Sequence, residues 1–494
     1  MGGGAPPRMA RAARRARLGA RRRRPLMLIP FDAIAELSTP DVCVIGTGPA
    51  GVTLALDLAD HGRRVLLCEG GGFDFDERAQ EIYRGELLGD PYRDLDIVRL
   101  RAFGGASGLW GGVTRPLDAD DFADKPHHPL ARWPIVKADL DPYLASALVM
   151  LEVDPLPADE PVADSGFQRI HFGESPPTRF GETYRAAVLD HPNIFLCLNA
   201  NATEVRADDA RATGIALADF DGGRATAVAG AYVIACGGIE NSRLLLWSNE
   251  TSNGRVVRRA DALGRYWMEH PHFTVGDFVA DRAFAHVHYS LTPDRRRALG
   301  LLNCGLRFFH RADWPRDDLL DDLAVAAPET AARLRARGDG LSAGRLRAAW
   351  EQEPRAESRV LLSTGAVDRF GAPRAALKWL KSPEDLVTVR RTASAFGDFM
   401  ARAGVGRLRL RDWVLGEGDF PEDDELGGNH HMGGTRMAED PALGVVDANL
   451  RVHGQPNLYV LGSSVFPSGG HANPTLTIVQ LAHRLADHLA ERRG

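Results

Sequence analysis

Residues 41–51 read Asp-Val-Cys-Val-Ile-Gly-Thr-Gly-Pro-Ala-Gly, and this stretch decides the fold. The apolar residues at its start are typical of a buried parallel strand, and a glycine-rich turn follows them at once. Gly46 permits the tight turn, Gly48 lets backbone amides approach a pyrophosphate, and Gly51 lets the next helix pack on the strand. A second apolar strand ends in Glu69, whose carboxylate can accept hydrogen bonds from ribose hydroxyls. The sequence therefore predicts a dinucleotide-binding unit.

The rest of the chain predicts an α/β protein with an interrupted nucleotide domain. Periodicity assigns residues 39–124, 191–272 and 425–494 to a Rossmann-like domain, and 125–190 and 273–424 to an inserted α+β substrate-binding domain built on an antiparallel sheet. Within the insertion, the alternating run 359–363 indicates an antiparallel strand. The charged stretch 316–350 instead reads as helical, with breaks at Gly338 and Gly340.

Composition excludes several classes of function. The formal net charge is −6 and no basic field follows residue 26, which argues against a nucleic-acid partner or an anionic membrane. No run of about 18 apolar residues predicts a membrane span. Residues 1–38 read as a disordered basic arm, whose short apolar run does not suit an export signal and in which Met27 is an alternative start. Five widely spaced cysteines, without metal-ligand spacing, favour a reducing cytoplasm and no metal site.

The acid Glu69 disfavours NADP as the cofactor but is compatible with both FAD and NAD. Three other segments distinguish between FAD and NAD. They are 101–112 (Arg-Ala-Phe-Gly-Gly-Ala-Ser-Gly-Leu-Trp-Gly-Gly), 264–271 (Gly-Arg-Tyr-Trp-Met-Glu-His-Pro) and 429–437 (Asn-His-His-Met-Gly-Gly-Thr-Arg-Met). In this order they resemble the glucose-methanol-choline (GMC) oxidoreductases, and the pattern is most similar to bacterial sugar dehydrogenases and pyranose oxidases. The resemblance implies a GMC-type FAD domain and oxidation of an alcohol.

The resemblance also implies the cofactor contacts. They are Gly46, Gly48, Gly51, Glu69, Gly104, Gly105, Ser107, Trp110, Val205, Gly237, Ser463, Pro474 and Thr475. Leu109 stands where covalently flavinylated pyranose oxidases have a histidine, so we expect FAD to bind non-covalently. Gly462 replaces an aspartate of many relatives, which leaves backbone amides and Ser463 or Ser464 to contact the flavin there.

Two residues are the catalytic candidates that the resemblance implies. His431 matches the base that removes the hydroxyl proton, and Asn473 matches an amide that donates to the substrate oxygen. His430 should point away from the substrate, although the two histidines exchange roles if the loop alignment shifts by one residue; His471 is a further alternative partner. Asn473 also suits the N-cap of a C-terminal helix whose N-terminus could stabilise negative charge on the flavin.

The expected reaction oxidises a secondary hydroxyl of a sugar, glycoside or sugar-like natural product to a ketone. Oxidation of a primary alcohol or aminocyclitol, lyase chemistry without net oxidation, and a non-enzymatic flavin-binding subunit remain alternatives. The electron acceptor is open among oxygen, a quinone and a carrier protein. Polar side chains of the insertion suit a hydroxyl-rich ligand or surface ion pairs: Arg307, His310, Arg359 and Lys378.

Overall fold

A computed structural model describes residues 27–286, 288–310, 314–416, 420–421 and 427–492. Most of the predicted basic arm, residues 1–26, lies outside this set. The prediction of disorder was wrong for residues 27–38, because Met27 and Ile29 share backbone hydrogen bonds with Leu196 at a sheet edge and Phe31–Ala35 forms a 3-10 helix. Leu28 forms a parallel bridge with Leu196, and Ile34 is buried.

The strands are numbered here in chain order. They are β1 Val42–Ile45, β2 Val65–Cys68, β3 Glu86–Gly89, β4 Val113–Thr114, β5 Glu160–Pro161, β6 Phe167–Ile170, β7 Gly173–Glu174, β8 Ile194–Cys197, β9 Asn201–Ala207, β10 Ala212–Ala218, β11 Arg224–Ala227, β12 Ala231–Ile234, β13 His272–Asp281, β14 His288–Leu291, β15 Cys304–His310, β16 Leu341–Trp350, β17 Arg359–Val367, β18 Pro373–Trp379, β19 Gly406–Leu410 and β20 Leu458–Val460.

The α-helices lie mainly on the two sides of these strands. They are α1 Pro49–Asp60, α2 Glu77–Gln80, α3 Ala119–Phe122, α4 Leu144–Met150, α5 Phe180–Thr183, α6 Arg185–Asp190, α7 Glu240–Thr251, α8 Pro293–Leu299, α9 Arg316–Ala326, α10 Pro328–Arg335, α11 Pro383–Arg402, α12 Asp412–Leu415 and α13 Thr475–Glu491. Within the described ranges, none of the helices combines the length and the apolar character that a bilayer crossing requires.

A parallel sheet in the order β20-β12-β1-β2-β8 forms the nucleotide half. Every residue of β1 and β2 is buried, which explains their unbroken apolar sequence. The turn after β1 begins at Gly46, with φ at +103°, and α1 starts with Pro49 at its first position. The predicted strand, glycine turn, helix and second strand are therefore confirmed.

An antiparallel sheet in the order β19-β13-β16-β15-β14-β6-β5 forms the second half. Helix α11 covers one face of it, because Val389, Ala393, Phe396 and Met400 recur at helical spacing and join the same apolar core. Ser382 caps α11 by accepting a hydrogen bond from the Asp385 amide. The opposite face remains available to line a cavity.

Three sequence expectations need correction. The stretch 316–350 is helical in α9, in α10 and in a 3-10 turn at Gly338–Gly340, whereas Leu341–Trp350 alternates between buried and half-buried residues and forms the interior strand β16. The boundary at 124/125 does not follow the packing, because α4 belongs to the core of the parallel sheet. Strand β3, assigned to the nucleotide domain, pairs in parallel with β18 of the insertion.

Gly51→Ala should destabilise the fold, because an added Cβ would lie 1.9 Å from the Gly46 carbonyl oxygen. We expect a loss of about 1–3 kcal/mol in the free energy of unfolding, as for other overpacked sites. Gly48→Ala is the matched control, since a Cβ there meets nothing within 4 Å. Chemical denaturation of the two variants as apoproteins, followed by circular dichroism, measures the difference without a contribution from FAD binding, and equal midpoints would contradict this account of the strand–helix contact.

Candidate active site

A cavity of about 530 Å³ lies where the nucleotide half meets the open face of the antiparallel sheet. Its walls come from the glycine turn after β1, from residues 105–113, from strands β13 to β16, and from the C-terminal segments 427–431, 461–463 and 471–478. Its size lies within the range of small-molecule and cofactor sites. The predicted nucleotide and catalytic motifs thus share one cavity.

The nucleotide end combines an open helix N-terminus with an oriented carboxylate. Gly48, Pro49 and Ala50 line the cavity at the start of α1, where unpaired amides favour an anion. Glu69 accepts hydrogen bonds from the Thr47 amide at 3.1 Å and the Thr47 hydroxyl at 2.6 Å through Oε2. Its Oε1 accepts from the Gly71 amide at 2.9 Å. These bonds fix the carboxylate that faces the cavity.

The second glycine segment is held by its own polar side chains. The Ser107 hydroxyl donates to the Gly104 carbonyl at 2.7 Å and accepts from the Phe180 amide at 3.0 Å. The Trp110 indole donates to the Thr178 carbonyl at 2.9 Å. Ser107 and Trp110 line the cavity with Gly105, whereas Leu109 exposes 54% of its surface there. Gly104 instead packs against Gly181.

The structure brings most of the predicted cofactor contacts to this cavity but not all of them. Gly237, Ser463, Pro474 and Thr475 line it together with the residues above. Gly51 is buried in the strand–helix contact. Val205 lies on β9, away from the cavity lining; its side chain is fully buried and its amide donates to the Ser248 hydroxyl at 2.8 Å.

One buried carboxylate joins the segments that carry the catalytic candidates. Glu269 accepts hydrogen bonds from the His430 amide at 2.6 Å and from the His270 amide at 2.8 Å through Oε1. Its Oε2 accepts from the Tyr92 hydroxyl at 2.5 Å. Glu269 is completely buried, so these donors compensate for the loss of water around its charge. They fix the position of residue 430 in its loop.

Asn473 lies beside His430 rather than beside His431. Its amide nitrogen is 3.2 Å from His430 Nε2, and His430 Nδ1 is 2.8 Å from Nδ1 of His270. If the Asn473 amide donates, Nε2 holds the imidazole lone pair and the His430 proton sits on Nδ1, from which it donates to His270. Asn473 thus has its side-chain contact with His430, while His431, with which it was predicted to share a substrate hydroxyl, lines the same cavity.

His431 faces a different set of neighbours. Its Nε2 lies 3.0 Å from the Tyr92 oxygen, and its ring packs 5.8 Å from the ring of Trp267. Because the Tyr92 hydroxyl donates to Glu269, the oxygen of Tyr92 accepts from His431 Nε2, which therefore carries a hydrogen. Both histidines line the cavity, on different sides of their loop.

The structure also locates His471, the alternative catalytic partner, and shows whether Asn473 caps α13. His471 Nδ1 donates to the Asn303 side-chain oxygen at 2.7 Å, and no contact joins its ring to His430 or His431 in the described residues. Asn473 does not cap α13: the helix begins after Pro474 without a side-chain cap. Its amide is thereby left to face His430.

Burial controls protonation in this cluster. It lowers the pKa of His431 to about 3 and that of His270 to about 4. Burial also lowers the pKa of His430 well below its ordinary value, assisted by the charge that His270, His272 and His431 would carry. Neutral imidazoles, which can accept a proton, are therefore the expected forms near neutral pH.

Sequence reasoning missed the supporting residues. Tyr92, Glu269 and His270 carry no local signal of a role, although the segment 264–271 stood out by its resemblance. Of the polar candidates in the insertion, Arg307 lines the cavity. His310 instead bonds Ser342 and the Ala285 carbonyl, while Arg359 and Lys378 are cross-strand partners on β17 and β18.

A sequence model of the GMC oxidoreductases matches residues 354–482, which include the loop of His430 and Asn473. The chain is a GMC oxidoreductase. The fold agrees: it is similar to pyridoxine 4-oxidase from Mesorbium loti, with a TM-score of 0.60 at 17% identity over 92% of this chain and all of that one. A formate oxidase from Aspergillus oryzae RIB40 superposes with a TM-score of 0.56 at 17% identity, covering 92% and 98% of the two chains.

Curated relatives of this GMC oxidoreductase include enzymes named for sugar-like substrates. The chain is 26% identical to 6'''-hydroxyparomomycin C oxidase of Streptomyces lividus, covering 92% of each. It is 29% identical to C-glycoside 3-oxidase of Microbacterium trichothecenolyticum over 61% of this chain and 55% of the relative. It is 27% identical to the fructose dehydrogenase large subunit of Gluconobacter japonicus over 56% and 50%. The predicted family is confirmed, and the relatives that the chain resembles include sugar oxidases and dehydrogenases.

The residues present fit the flavin nucleotide that this FAD-dependent family requires. Added Cβ atoms at Gly48 and Gly237 would meet no atom within 4 Å, which leaves backbone exposed along the predicted path of the cofactor. Two helix N-termini, those of α1 and α13, open into the same cavity and suit groups of negative charge.

Gly48→Ala should weaken FAD binding while the protein stays folded, since the new methyl group would occupy the space between the turn and the pyrophosphate. We expect the dissociation constant to rise by about tenfold or more, corresponding to a loss of ~1.4 kcal/mol. Titration of the apoprotein with FAD, followed by flavin fluorescence, measures the change. An unaltered affinity would mean that the pyrophosphate of FAD does not bind at this turn.

Proposed function

We propose that this enzyme oxidises a secondary hydroxyl of a sugar, glycoside or sugar-like natural product to a ketone. The observation that carries the proposal is the pair His430 and Asn473, 3.2 Å apart in the cavity that the nucleotide motif shares. The names of the curated relatives support a sugar-like substrate. We further propose that the electron acceptor is oxygen, a quinone or a carrier protein.

We assign the base to His430 and not to His431. With the Asn473 amide as the donor, the Nε2 lone pair of His430 faces Asn473, and its Nδ1 hydrogen is held by His270. A substrate hydroxyl within ~2.6–3.2 Å of Nε2 could therefore transfer its proton to His430. Nε2 of His431 already carries a hydrogen towards Tyr92, so this atom cannot accept another. The assignment corresponds to the loop shifted by one residue relative to our sequence prediction.

Asn473 complements the base. A hydroxyl oxygen placed between the two side chains receives a hydrogen bond from the Asn473 amide while its proton moves to His430. This bond strengthens as negative charge develops on the oxygen, which favours the transition state over the bound alcohol. His270 is a positioning residue, since it fixes the ring of His430 and its tautomer.

Bound flavin supplies the acceptor for the hydride that leaves the carbinol carbon. The chain binds the nucleotide through the turn after β1, Glu69 and the segment 105–110, and α13 directs its N-terminus at the same cavity. We propose non-covalent attachment, because Leu109 has no nucleophilic atom. We also propose a cytoplasmic location, which five free cysteines support.

His430→Ala should slow flavin reduction by ~10²–10⁴-fold, the usual contribution of a general base. His431→Ala is the matched control from the same loop, and its effect should be at least about tenfold smaller. The measurement is anaerobic flavin bleaching by the best sugar or alcohol of a panel, with flavin content and thermal midpoint checked for each variant.

Two outcomes would refute this assignment. A larger loss for His431→Ala would restore His431 as the base. No bleaching by any alcohol, with wild-type flavin content, would favour lyase chemistry or a binding subunit. Oxidation of a primary alcohol, the nearest alternative, gives an aldehyde instead of a ketone and is separated by product analysis, whereas an aminocyclitol also gives a ketone and is recognised by its bleaching the flavin faster than the sugars of the panel.

Acid precipitation should release the flavin into the supernatant, because Leu109 cannot form the bond to the flavin that a histidine could. We expect essentially all of the yellow colour to leave the protein pellet. Absorbance spectra of the supernatant and of the redissolved pellet quantify the two fractions. Colour retained in the pellet would indicate a covalent link through another residue.

A further inference from the structure

The sheet wall of the cavity carries two arginines side by side. Arg307 on β15 and Arg347 on β16 are direct cross-strand partners, and both line the cavity. Their neighbour Phe309 lies beneath both guanidinium groups, 4.6 Å from that of Arg307 and 5.5 Å from that of Arg347. Arg347 also donates to the His272 carbonyl at 2.9 Å. The two charges are thus held on one face of the sheet.

The register gives the distance from this pair to the catalytic centre. Gly305 and Ala349 are cross-strand partners, and His272 pairs with Ala349 on the other side. These three cross-strand neighbours lie next to the catalytic centre. The ring of His272 lies 5.9 Å from that of His430, and His471 packs over Gly305. The arginines lie two residues further along the same strands, which is about 7 Å on the same face.

Acidic side chains are absent from this wall among the described residues that line the cavity. The carboxylate in the lining is Glu69, which lies at the nucleotide end and is held by Thr47 and Gly71. Arg307 makes no ion pair with any side chain of the described ranges, and its side chain is exposed to the cavity. Among the described residues that line this wall, the charged side chains are therefore the two arginines.

Two histidines beside the arginines add hydrogen-bonding groups without adding charge. Burial, followed by the charge of Arg307, lowers the pKa of His288 to about 4. Burial, followed by the charges of His270, Arg347 and Arg307, lowers the pKa of His272 to about 3. Both rings are neutral near pH 7, so the positive field of the wall comes from the two guanidinium groups.

We propose that Arg307 and Arg347 bind an oxyanion carried by the substrate, either a carboxylate or a phosphate, about one sugar ring away from the oxidised hydroxyl. Planar guanidinium groups match both oxyanions with paired hydrogen bonds. The inference rests on the proposed oxidation of a sugar-like alcohol and specifies its substrate class. It excludes amino sugars and aminocyclitols as preferred substrates, because their ammonium groups would face two arginines.

The test compares the holoenzyme with four matched probes under anaerobic conditions: methyl glucoside, methyl glucuronide, glucose 6-phosphate and glucosamine. We expect the carboxylate or the phosphate to have a KM for flavin bleaching at least about tenfold lower than the neutral glucoside, as for a hydrogen bond to a charged group. Glucosamine should bind more weakly than the glucoside. Comparison of the two anions identifies which oxyanion the site takes.

Variants connect this preference to the arginines. Arg307→Gln and Arg347→Gln should each raise the KM for the preferred anion about tenfold more than the KM for methyl glucoside. Arg307→Lys, which retains the charge, should recover part of the loss. Arg333→Gln is the matched control. Arg333 is exposed on α10, so this substitution removes the same charge far from the cavity lining.

A binding measurement separates this inference from the proposed reaction. Inorganic phosphate at constant ionic strength should perturb the flavin absorbance of the wild type and of Arg333→Gln, but only at about tenfold higher concentration in Arg307→Gln. Equal phosphate affinity in these proteins, or a preference for glucosamine, overturns the inference even if neutral alcohols bleach the flavin. Phosphate binding that depends on Arg307, without bleaching by any alcohol, overturns the reaction and retains the oxyanion site.

Discussion

The arrangement of the active site depends on the buried carboxylate of Glu269. A charge without water must be satisfied by hydrogen bonds, and the donors here come from the Tyr92 hydroxyl and from the amides of His270 and His430. The carboxylate consequently joins three segments that are far apart in sequence. With the amide of His430 fixed, successive side chains of the loop point to opposite sides, and only one imidazole can face Asn473.

The two halves of the molecule contribute different properties to one cavity. The parallel sheet supplies backbone and helix termini, which suit a nucleotide of fixed structure. The antiparallel sheet supplies side chains from one face of β13 to β16, where a substitution changes the wall without changing the backbone that supports it. Cofactor binding and substrate choice are thus separable, and relatives with different substrates can share the same nucleotide half.

The sequence predicted the nucleotide half well because its determinants are local. The turn at Gly46 and the strand–helix contact at Gly51 depend on neighbours in sequence. The different hydrogen-bond partners of His430 and His431 could not be predicted, because Tyr92 and Glu269, which contact this loop, are distant in sequence. Leu341–Trp350 was wrongly predicted as helical for a related reason. Its charged residues obscure the alternation of buried and half-buried positions, and only the packed sheet shows which side of the strand is buried. The side chain of Asn473 was likewise free for His430 because α13 begins without it.

The order of strands in the parallel sheet has a consequence for how the enzyme is made in the cell. Its edge strand β20 comes from residues 458–460, although β1 starts at residue 42. The cavity likewise needs both the first glycine turn and the first residues of α13. A sheet closed by so distant a strand forms slowly, because residues 458–460 must be synthesised before its edge is complete. Flavin capture by the complete cavity therefore follows the synthesis of residues 471–478, more than 400 residues after the first glycine turn.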